Sequence, residues 1–191
     1  MSAYILPSVT SSKHLSSLLP FTSTDRLDRT IVIDQIRSDD INELSSVQEM
    51  LNEEIRQGTY PQDMVLDLEQ FQAYFCSHYA FVARLSGQLV AAFYVKPNFP
   101  GRCSHICNGG FLVHSNYRKA GIGYVLAKAF EILAPACGFK SAFFNLVFED
   151  NPGSIRLWRS MHYKETGRVP EAKRLPDGTT IDALMFYKTF L

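Results

Sequence analysis

The sequence predicts an α/β (α+β) fold in which a mixed central sheet of about six to seven strands is flanked by helices on both faces. Three observations predict it. Apolar residues recur at spacings of three and four from Ile41 to Ile55, which is the pattern of an amphipathic helix. The runs Tyr79 to Leu85 and Leu89 to Lys96 flank Ser86-Gly87-Gln88 and predict a β-hairpin. The continuous apolar run Ser141 to Phe148 is typical of a strand whose two faces are both covered.

The first half of the chain predicts one strand, two helices and the hairpin. The β-branched run from Arg29 to Ile36 predicts the strand, and Ser38 to Asp40 can cap the helix that follows. That helix is expected to end near Gly58, because Tyr60-Pro61 cannot continue it. The second helix is indicated by the spacing of Leu66, Leu68, Phe71, Tyr74 and Phe75.

The second half alternates strands with two further helices. The full order is β-α-α-β-β-β-α-β-α-β-β, without an internal repeat or a linker. We therefore expect one domain over residues 29–191, preceded by a polar segment over residues 1–28. The elements after the hairpin are a loop at Pro97 to Gly101, a strand at His105 to His114, a helix opening at the turn 118–123 and stopping near Cys137-Gly138, a strand at Ser141 to Phe148, a helix capped by Asn151 to Ser154, a strand at Tyr163 to Val169, a polar Pro/Gly loop and a strand near Asp182 to Phe190.

Charge and hydropathy narrow the class of partner. Nineteen basic residues balance nineteen acidic ones in this 191-residue chain, so no net field draws it to nucleic acid or to an anionic membrane. The longest apolar runs, such as Phe143 to Phe148, fall far short of the ~20 residues that cross a bilayer. A small-molecule partner is therefore expected.

The N-terminus and the cysteines indicate an intracellular protein. Residues 1–28 lack the basic segment, apolar run and cleavage site of a secretory signal, and their Ser, Thr and Leu content fits a cytoplasmic or a mitochondrial protein. Four cysteines do not make the dense framework of a small secreted domain. Cys103, His105 and Cys107 alternate as on one strand face, but no fourth ligand accompanies them. We expect no metal there and interpret them as buried thiols beside a hydrogen-bonded histidine.

The segment from Gly110 to Gly123 carries the main chemical signal, because it runs from a strand through a short turn into a helix N-terminus. The first N–H groups of a helix lack internal partners, so a pyrophosphate can accept hydrogen bonds from them. Two glycines leave room for the phosphates, and Arg118 and Lys119 add positive charge. The alternative is an ordinary tight turn whose glycines serve helix packing. The turn is neither a Walker loop nor a complete dinucleotide-binding fingerprint.

At this turn the sequence resembles the GNAT acetyltransferases. Their Gln/Arg-x-x-Gly-x-Gly/Ala signature matches Arg118, Gly121 and Gly123, and the Asn, small residue and Leu-Tyr that follow it match Asn151, Ser154 and Leu157-Trp158. The resemblance extends at least from Tyr79 to Leu191 and implies a GNAT-fold domain with acetyl-CoA as co-substrate. It implies that acetyl-CoA is bound by the backbone of Phe111, Leu112 and Val113, by the turn residues Arg118, Lys119, Ala120, Gly121, Ile122 and Gly123, and by Asn151 and Ser154.

Longer runs resemble a narrower group, the fungal L-azetidine-2-carboxylate acetyltransferases, which acetylate the ring nitrogen of toxic proline analogues. This resemblance implies a detoxifying, stress-response enzyme that acts on a small imino acid, and it implies a homodimer. It also implies that Asn108 and Asn145 are catalytic and bind the substrate, together with Leu146. An amide can hold a carboxylate without titrating, although both asparagines could instead satisfy neighbouring backbone. The runs are Phe93 to Asn98, Arg102 to His105, Cys107 to Val113, Phe144 to Phe148 and Tyr60-Pro61-Gln62.

At position 158 this chain has a tryptophan where the family pattern has a proton-donating tyrosine. Many GNAT enzymes have a tyrosine there that protonates the departing thiolate, whereas an indole is a poor proton donor. We hypothesise direct attack by the neutral amine, with proton removal through water. Other candidates, each of them equally well a packing or surface residue, are Tyr117, Tyr124 and His105 for proton transfer and Arg102 and Lys96 for attraction of a carboxylate.

Two other functions are compatible with the sequence. One is a GNAT enzyme that acts on a protein amine or a polyamine, but a polyamine site would favour an acidic lining that the strands around Asn108 and Asn145 do not show. The other is a non-catalytic domain that binds acyl-CoA, and Trp158 is its only support.

Overall fold

Eight strands form one mixed sheet in the computed structural model, which describes residues 13–190. The strands are β1 (Phe21–Thr24), β2 (Thr30–Gln35), β3 (Tyr79–Leu85), β4 (Gln88–Pro97), β5 (Ile106–Val113), β6 (Ser141–Phe148), β7 (Lys164–Arg174) and β8 (Thr180–Thr189). The helices are α1 (Lys13–Ser17), α2 (Ile41–Arg56), α3 (Leu68–Phe75), α4 (Ile122–Ala136) and α5 (Pro152–Ser160), with 3₁₀ turns at Gly101–Cys103 and Ser115–Tyr117.

The strands lie in the order β1-β2-β3-β4-β5-β6-β8-β7, and only the β5–β6 pair is parallel among the described strands. The predicted α/β class and mixed sheet are confirmed, with one strand more than the six to seven expected. The additional strand is β1, whose residues Phe-Thr-Ser-Thr show only one apolar side chain and so gave no strand signal. It lies in the segment 1–28 that was expected to be polar, and residues 1–12 of that segment lie outside the described part of the chain.

Helices cover both faces of the sheet, as predicted. On one face α2 and α3 pack on apolar side chains of β3 to β5, with Leu51, Phe71 and Phe75 fully buried. On the other face α4 and α5 cover a second apolar layer that includes Phe93, Phe130, Phe144 and Trp158. Side-chain caps begin α2 at Asp40 and α3 at Asp67, where the carboxylates accept hydrogen bonds from first-turn N–H groups. These two layers hold β5 and β6 from both sides.

β5 and β6 pair only at their N-terminal ends. Ladder pairs join Ile106 to Ser141 and Cys107 to Ala142, and from Asn108 onwards the two described strands diverge. The divergence leaves a gap in the backbone pairing between the two strands, in the middle of the sheet.

Two expectations about local structure are wrong. The predicted Pro/Gly loop after Val169 is largely strand, because β7 continues to Arg174 and β8 begins at Thr180. Cys103 and His105 precede β5 and are exposed, so they do not share a strand face with the buried Cys107. Between residues 13 and 190, no three metal-ligating side chains converge. No helix in that range is long and apolar enough to cross a bilayer.

Candidate functional site

Two amides meet across the gap between β5 and β6. Asn108 Nδ2 donates to Asn145 Oδ1 at 3.0 Å and to Asn98 Oδ1 at 3.3 Å, while Asn108 Oδ1 accepts from the Gly109 N–H at 2.8 Å. Because Asn145 Oδ1 is the acceptor of this pair, its own Nδ2 is left to donate elsewhere. The structure thus brings together Asn108 and Asn145, which lie 37 positions apart in the sequence.

Asn145 and Leu146 lie in an irregularity of β6. The register between β6 and β8 shifts between Phe144 and Val147, so these two residues fall outside the regular ladder. A bulge of this kind turns side chains away from the ordinary alternation of a strand. Asn145 is half-buried beside Asn108, whereas the side chain of Leu146 is 43% exposed. Leu146 therefore presents an apolar surface next to the amide pair.

β5 has a free backbone edge along the gap. The N–H of His114 donates to the carbonyl of Val90 at 2.9 Å, and hydrogen-bonded pairs alternate along an antiparallel ladder. Phe111 and Val113 therefore direct their N–H and C=O groups away from β4, towards β6. Their carbonyls accept from the Tyr60 hydroxyl at 3.4 Å and from Arg118 Nε at 3.2 Å. Leu112, between them, is buried under α2 and pairs with Ala92, so its backbone groups face β4 rather than the gap, contrary to the expectation that they bind acetyl-CoA.

The turn from Arg118 to Gly123 begins α4 at Ile122, as predicted. Lys119 and Gly121 have positive φ angles of 65° and 87°, and the Gly121 carbonyl accepts from the N–H of Tyr124 and of Val125. At a helix start the N–H groups of the first helical residues, here Ile122 and Gly123, have no intrahelical acceptor. They form the anion-binding end of the helix dipole. Lys119 is exposed at this end.

Contacts from distant segments hold this turn in place. The N–H of Arg26, between β1 and β2, donates to the carbonyl of Ala120 at 3.0 Å. The Arg118 guanidinium pairs with Glu54 and donates to Gln57 Oε1 at 3.3 Å, both near the end of α2. Arg118 was predicted as a charge for the phosphates, but in the structure its guanidinium is paired with Glu54 and ties the turn to α2. Arg26, Glu54 and Gln57 lie too far along the chain for the local sequence pattern to indicate them.

Asn151 and Ser154 lie at the start of α5, directly after β6. Asn151 Oδ1 accepts from the Ser154 N–H at 3.1 Å, so the predicted helix cap is confirmed. This cap places a second helix N-terminus near the diverging ends of β5 and β6. The contribution of both residues to coenzyme binding stays a prediction.

Trp158 is a core residue rather than a solvent-facing one. It is 3% exposed, and its ring lies 4.2 Å from that of Phe144 and 5.0 Å from those of Phe111 and Tyr163. An indole in this aromatic cluster supports the α5 side of the gap by packing. The structure therefore gives Trp158 a structural role that needs no proton transfer.

The other candidates for proton transfer, Tyr117, Tyr124 and His105, form contacts away from the Asn108–Asn145 pair. The Tyr117 hydroxyl donates to Gln88 at 2.8 Å, Tyr124 is 40% exposed on α4, and His105 Nδ1 lies 3.2 Å from the carbonyl of Arg102. None of these contacts connects them with the Asn108–Asn145 pair. Arg102 is exposed in a 3₁₀ turn, and only Lys96 is partly buried near the pair.

Lys96 belongs to a cluster of aromatic and polar side chains that the sequence predicted only in part. It is the ladder partner of Asn108, and its ammonium lies 3.9 Å from the Tyr74 ring centroid and 4.3 Å from that of Tyr94. Tyr60 approaches the same wall, because a Cβ on Gly110 would lie 2.8 Å from its hydroxyl. Burial raises the pKa of Tyr60 and of Tyr94 well above the ordinary value, so both phenols stay protonated.

Lys173 on β7 connects the α2–α3 loop with the end of β6. Its ammonium donates to the carbonyl of Gly58 at 2.7 Å, pairs with Asp150 and lies 4.7 Å from the Phe148 ring centroid. This contact was not predicted, because no local sequence pattern distinguishes a single lysine in a polar strand.

Comparison with known proteins identifies the family of this chain. The acetyltransferase (GNAT) family matches residues 44–163. The chain belongs to this family. It is 42% identical over 151 residues to N-acetyltransferase aca1 of Schizosaccharomyces pombe, an alignment that covers 69% of this chain and 72% of that protein. As a GNAT member it is an acetyl-CoA-dependent N-acetyltransferase.

Solved GNAT structures share the fold. A GCN5-related N-acetyltransferase from Kribbella flavida has 24% identity and a TM-score of 0.74, covering 82% of this chain and 97% of its own. The acetyltransferase yncA of Salmonella typhimurium, solved with its cofactor acetyl-CoA, has 16% identity and a TM-score of 0.74, covering 84% of this chain and 94% of its own. These matches confirm a single GNAT fold with helices on both faces of the sheet.

Proposed function

We propose that this GNAT enzyme transfers the acetyl group of acetyl-CoA to the ring amine of a small proline-like imino acid, such as L-azetidine-2-carboxylate, and so detoxifies it. The observation that carries the proposal is the Asn108–Asn145 pair, joined at 3.0 Å across the β5–β6 gap. Two neutral amides with a free Nδ2 on Asn145 suit a small ligand with hydrogen-bond acceptors. The resemblance of the flanking strands to proline-analogue acetyltransferases supports this substrate class.

The coenzyme side of the gap fits acetyl-CoA. The β5 edge at Phe111 and Val113 offers N–H and C=O groups in strand geometry, to which the amide-containing pantetheine arm can bond. The N-terminus of α4 offers N–H groups of Ile122 and Gly123 for the pyrophosphate. When bound there, acetyl-CoA supplies a thioester whose carbonyl carbon accepts the amine.

The amine side of the gap lies on the opposite face, beneath α2 and α3. Asn108, Lys96 and Tyr94 share this face, since Lys96 and Asn108 are ladder partners and Tyr94 pairs with Gly110. The side chains on this face are amides, phenols and the Lys96 ammonium, and no carboxylate forms a hydrogen bond or ion pair with these three residues in the described chain. A polycation would lack counter-charges here, which favours a small imino acid over a polyamine.

The chemistry requires a neutral amine held against the thioester. A ring amine has a pKa of about 10, so it must lose a proton before or during attack. We assign the substrate's orientation to Asn108 and Asn145, and the proton's removal to water in the open part of the gap. The free N–H groups of the β5 edge are placed to donate to the oxyanion as it forms. The departing thiolate is protonated by solvent, because the buried Trp158 does not supply an acid.

Thiol release tests the proposal directly. Purified protein is mixed with acetyl-CoA and, in separate reactions, L-azetidine-2-carboxylate, other proline analogues, spermidine or peptides. We expect release of free CoA with the imino acids and little release with spermidine or peptides. Turnover confined to spermidine or peptides would overturn the substrate class. Tight CoA binding without turnover on any amine would overturn catalysis by this chain.

A further inference from the structure

Lys96 is a partly buried cation without an acidic partner. Burial lowers the pKa of its ammonium from 10.5 to about 8. Its ammonium donates to the carbonyl of Tyr74 at 3.2 Å, and no carboxylate between residues 13 and 190 forms an ion pair with it. An ammonium has three donors, so two of them are left for a ligand. Burying such a charge is costly unless an anion completes the site.

Two tyrosines hold this ammonium in a defined position. The rings of Tyr74 and Tyr94 lie within 4.3 Å of it, and their hydroxyls are 3.1 Å apart. Cation–π contacts of this kind keep a charge oriented without neutralising it. The lysine is therefore a fixed positive charge rather than a mobile surface side chain.

A second donor without a partner lies in the same network. Asn98 Nδ2 is buried and has no hydrogen-bond acceptor among the described residues, although Asn98 Oδ1 accepts from Asn108. A buried amide N–H without an acceptor is unfavourable. Asn98 and Asn108 are joined by this amide bond, and Asn108 is the ladder partner of Lys96, so the two unpartnered donors belong to neighbouring residues at one end of the β4–β5 pair.

We infer that Lys96 and Asn98 form a carboxylate-binding subsite that restricts this enzyme to amines bearing a carboxylate next to the reacting nitrogen. This inference rests on the proposed function, and it adds the residues that bind the negatively charged carboxylate of the substrate. Asn108 and Asn145 orient the imino acid, Lys96 neutralises its carboxylate, and the Asn98 N–H completes the carboxylate's hydrogen bonds. An amine without a carboxylate would leave the lysine uncompensated and would bind weakly.

The test compares L-azetidine-2-carboxylate with its neutral carboxamide in wild type and in Lys96→Met. Hydrogen bonds to charged groups predict a loss of about 10- to 100-fold in kcat/KM for the carboxylate, mainly through KM, with about 3-fold change or less for the carboxamide. Lys96→Arg should recover part of the preference. Lys128→Met is the matched control, because Lys128 also lies over a tyrosine, Tyr124 at 5.2 Å, but on an exposed part of α4.

The outcomes separate the two proposals. If wild type acetylates neither compound, the proposed function fails. If wild type acetylates the carboxylate but Lys96→Met weakens both compounds equally, with an unchanged KM for acetyl-CoA, only the Lys96 subsite is overturned. If Lys96→Met does not fold, the subsite is tested in wild type by comparing inhibition by cyclobutanecarboxylate with inhibition by cyclobutanecarboxamide. Stronger inhibition by the carboxylate, about 10-fold or more, supports the subsite, and equal inhibition overturns it.

Discussion

Asn108 donates to Asn145 at 3.0 Å across strands that have already separated, so a side-chain bond replaces the backbone ladder at this point of the sheet. Replacing Asn145 by Ala should lower kcat/KM for a small imino acid by about 10- to 100-fold, because a hydrogen-bonding amide is lost. The KM for acetyl-CoA should change by less than about 3-fold, since the coenzyme is assigned to β5 and α4.

Asn42→Ala provides the control for this substitution, because Asn42 is exposed in the first turn of α2. It should leave both kinetic parameters unchanged. An equal loss of imino-acid turnover and acetyl-CoA affinity in Asn145→Ala would contradict a substrate-orienting role for Asn145.

Gly121→Ala should weaken acetyl-CoA binding. At a φ of +87°, an alanine costs about 1–2 kcal/mol, and its Cβ would lie 2.6 Å from Cγ of Arg26. Relief of that contact shifts the turn that presents the first N–H groups of α4. Gly178→Ala is a matched control with a φ of +86° and open space around the new Cβ. Gly121→Ala should lose more stability than Gly178→Ala in urea titrations, because of the added contact with Arg26, and only Gly121→Ala should raise the KM for acetyl-CoA.

Trp158→Phe should affect stability rather than proton transfer. The smaller ring leaves a void beside Phe111, Phe144 and Tyr163, so the free energy of unfolding should fall by about 1–2 kcal/mol. The pH dependence of kcat should be unchanged, and urea titration with pH–rate profiles measures both quantities. A 100-fold loss of kcat at unchanged stability would show, against this expectation, that the indole takes part in the reaction.

Lys173→Met should loosen the amine side of the gap. The side chain of Lys173 is 10% exposed, donates to the Gly58 carbonyl and pairs with the exposed Asp150, so its loss leaves one partly buried acceptor unpaired and costs about 1 kcal/mol. Lys164→Met, on the exposed start of β7, is the control and should be neutral. We expect a raised KM for the amine substrate with an unchanged KM for acetyl-CoA. Equal behaviour of the two variants would show that the Lys173 contact does not order the loop.

The pH dependence of carboxylate binding should follow Lys96. Burial lowers the pKa of its ammonium to about 8, so the charge is present below that pH and is lost above it. The other titratable groups around it are the phenols of Tyr60, Tyr74 and Tyr94. Burial holds the pKa of Tyr60 and of Tyr94 well above the ordinary value. Inhibition by cyclobutanecarboxylate should therefore weaken as the pH rises through about 8. Cyclobutanecarboxamide should show no such dependence, and neither compound should in Lys96→Met.

Much of the fold could be predicted because its signals are local. The stripe from Ile41 to Ile55 became α2, the apolar run Ser141–Phe148 became β6, and the turn 118–123 opened α4. Each of these patterns lies within a short stretch of sequence. The spacing of apolar residues in such a stretch shows whether one face or both faces of the element will be buried. Strand β1 was not predicted, because its four residues Phe-Thr-Ser-Thr include only one apolar side chain and show no apolar alternation.

The site was predictable in its residue types and not in its contacts. Asn108, Asn145 and the glycine turn could be named from motifs, and the structure brings the two asparagines together. The pairing of Arg118 with Glu54 and the contact of Lys173 with Gly58 join residues that are 64 and 115 positions apart. Such partners are chosen by packing of whole elements, which no local pattern records.

The sequence by itself determined the α/β class, the glycine turn that opens α4 and the two asparagines to which we assign the substrate. Only the tertiary structure decided that β5 and β6 separate after Cys107, that Asn145 sits in a bulge, and that Lys96 is caged by Tyr74 and Tyr94. The physical reason is the range of the interactions. Periodicity and turn chemistry act between near neighbours, whereas a gap in a sheet and the burial of a charge depend on elements that meet only after the chain has folded.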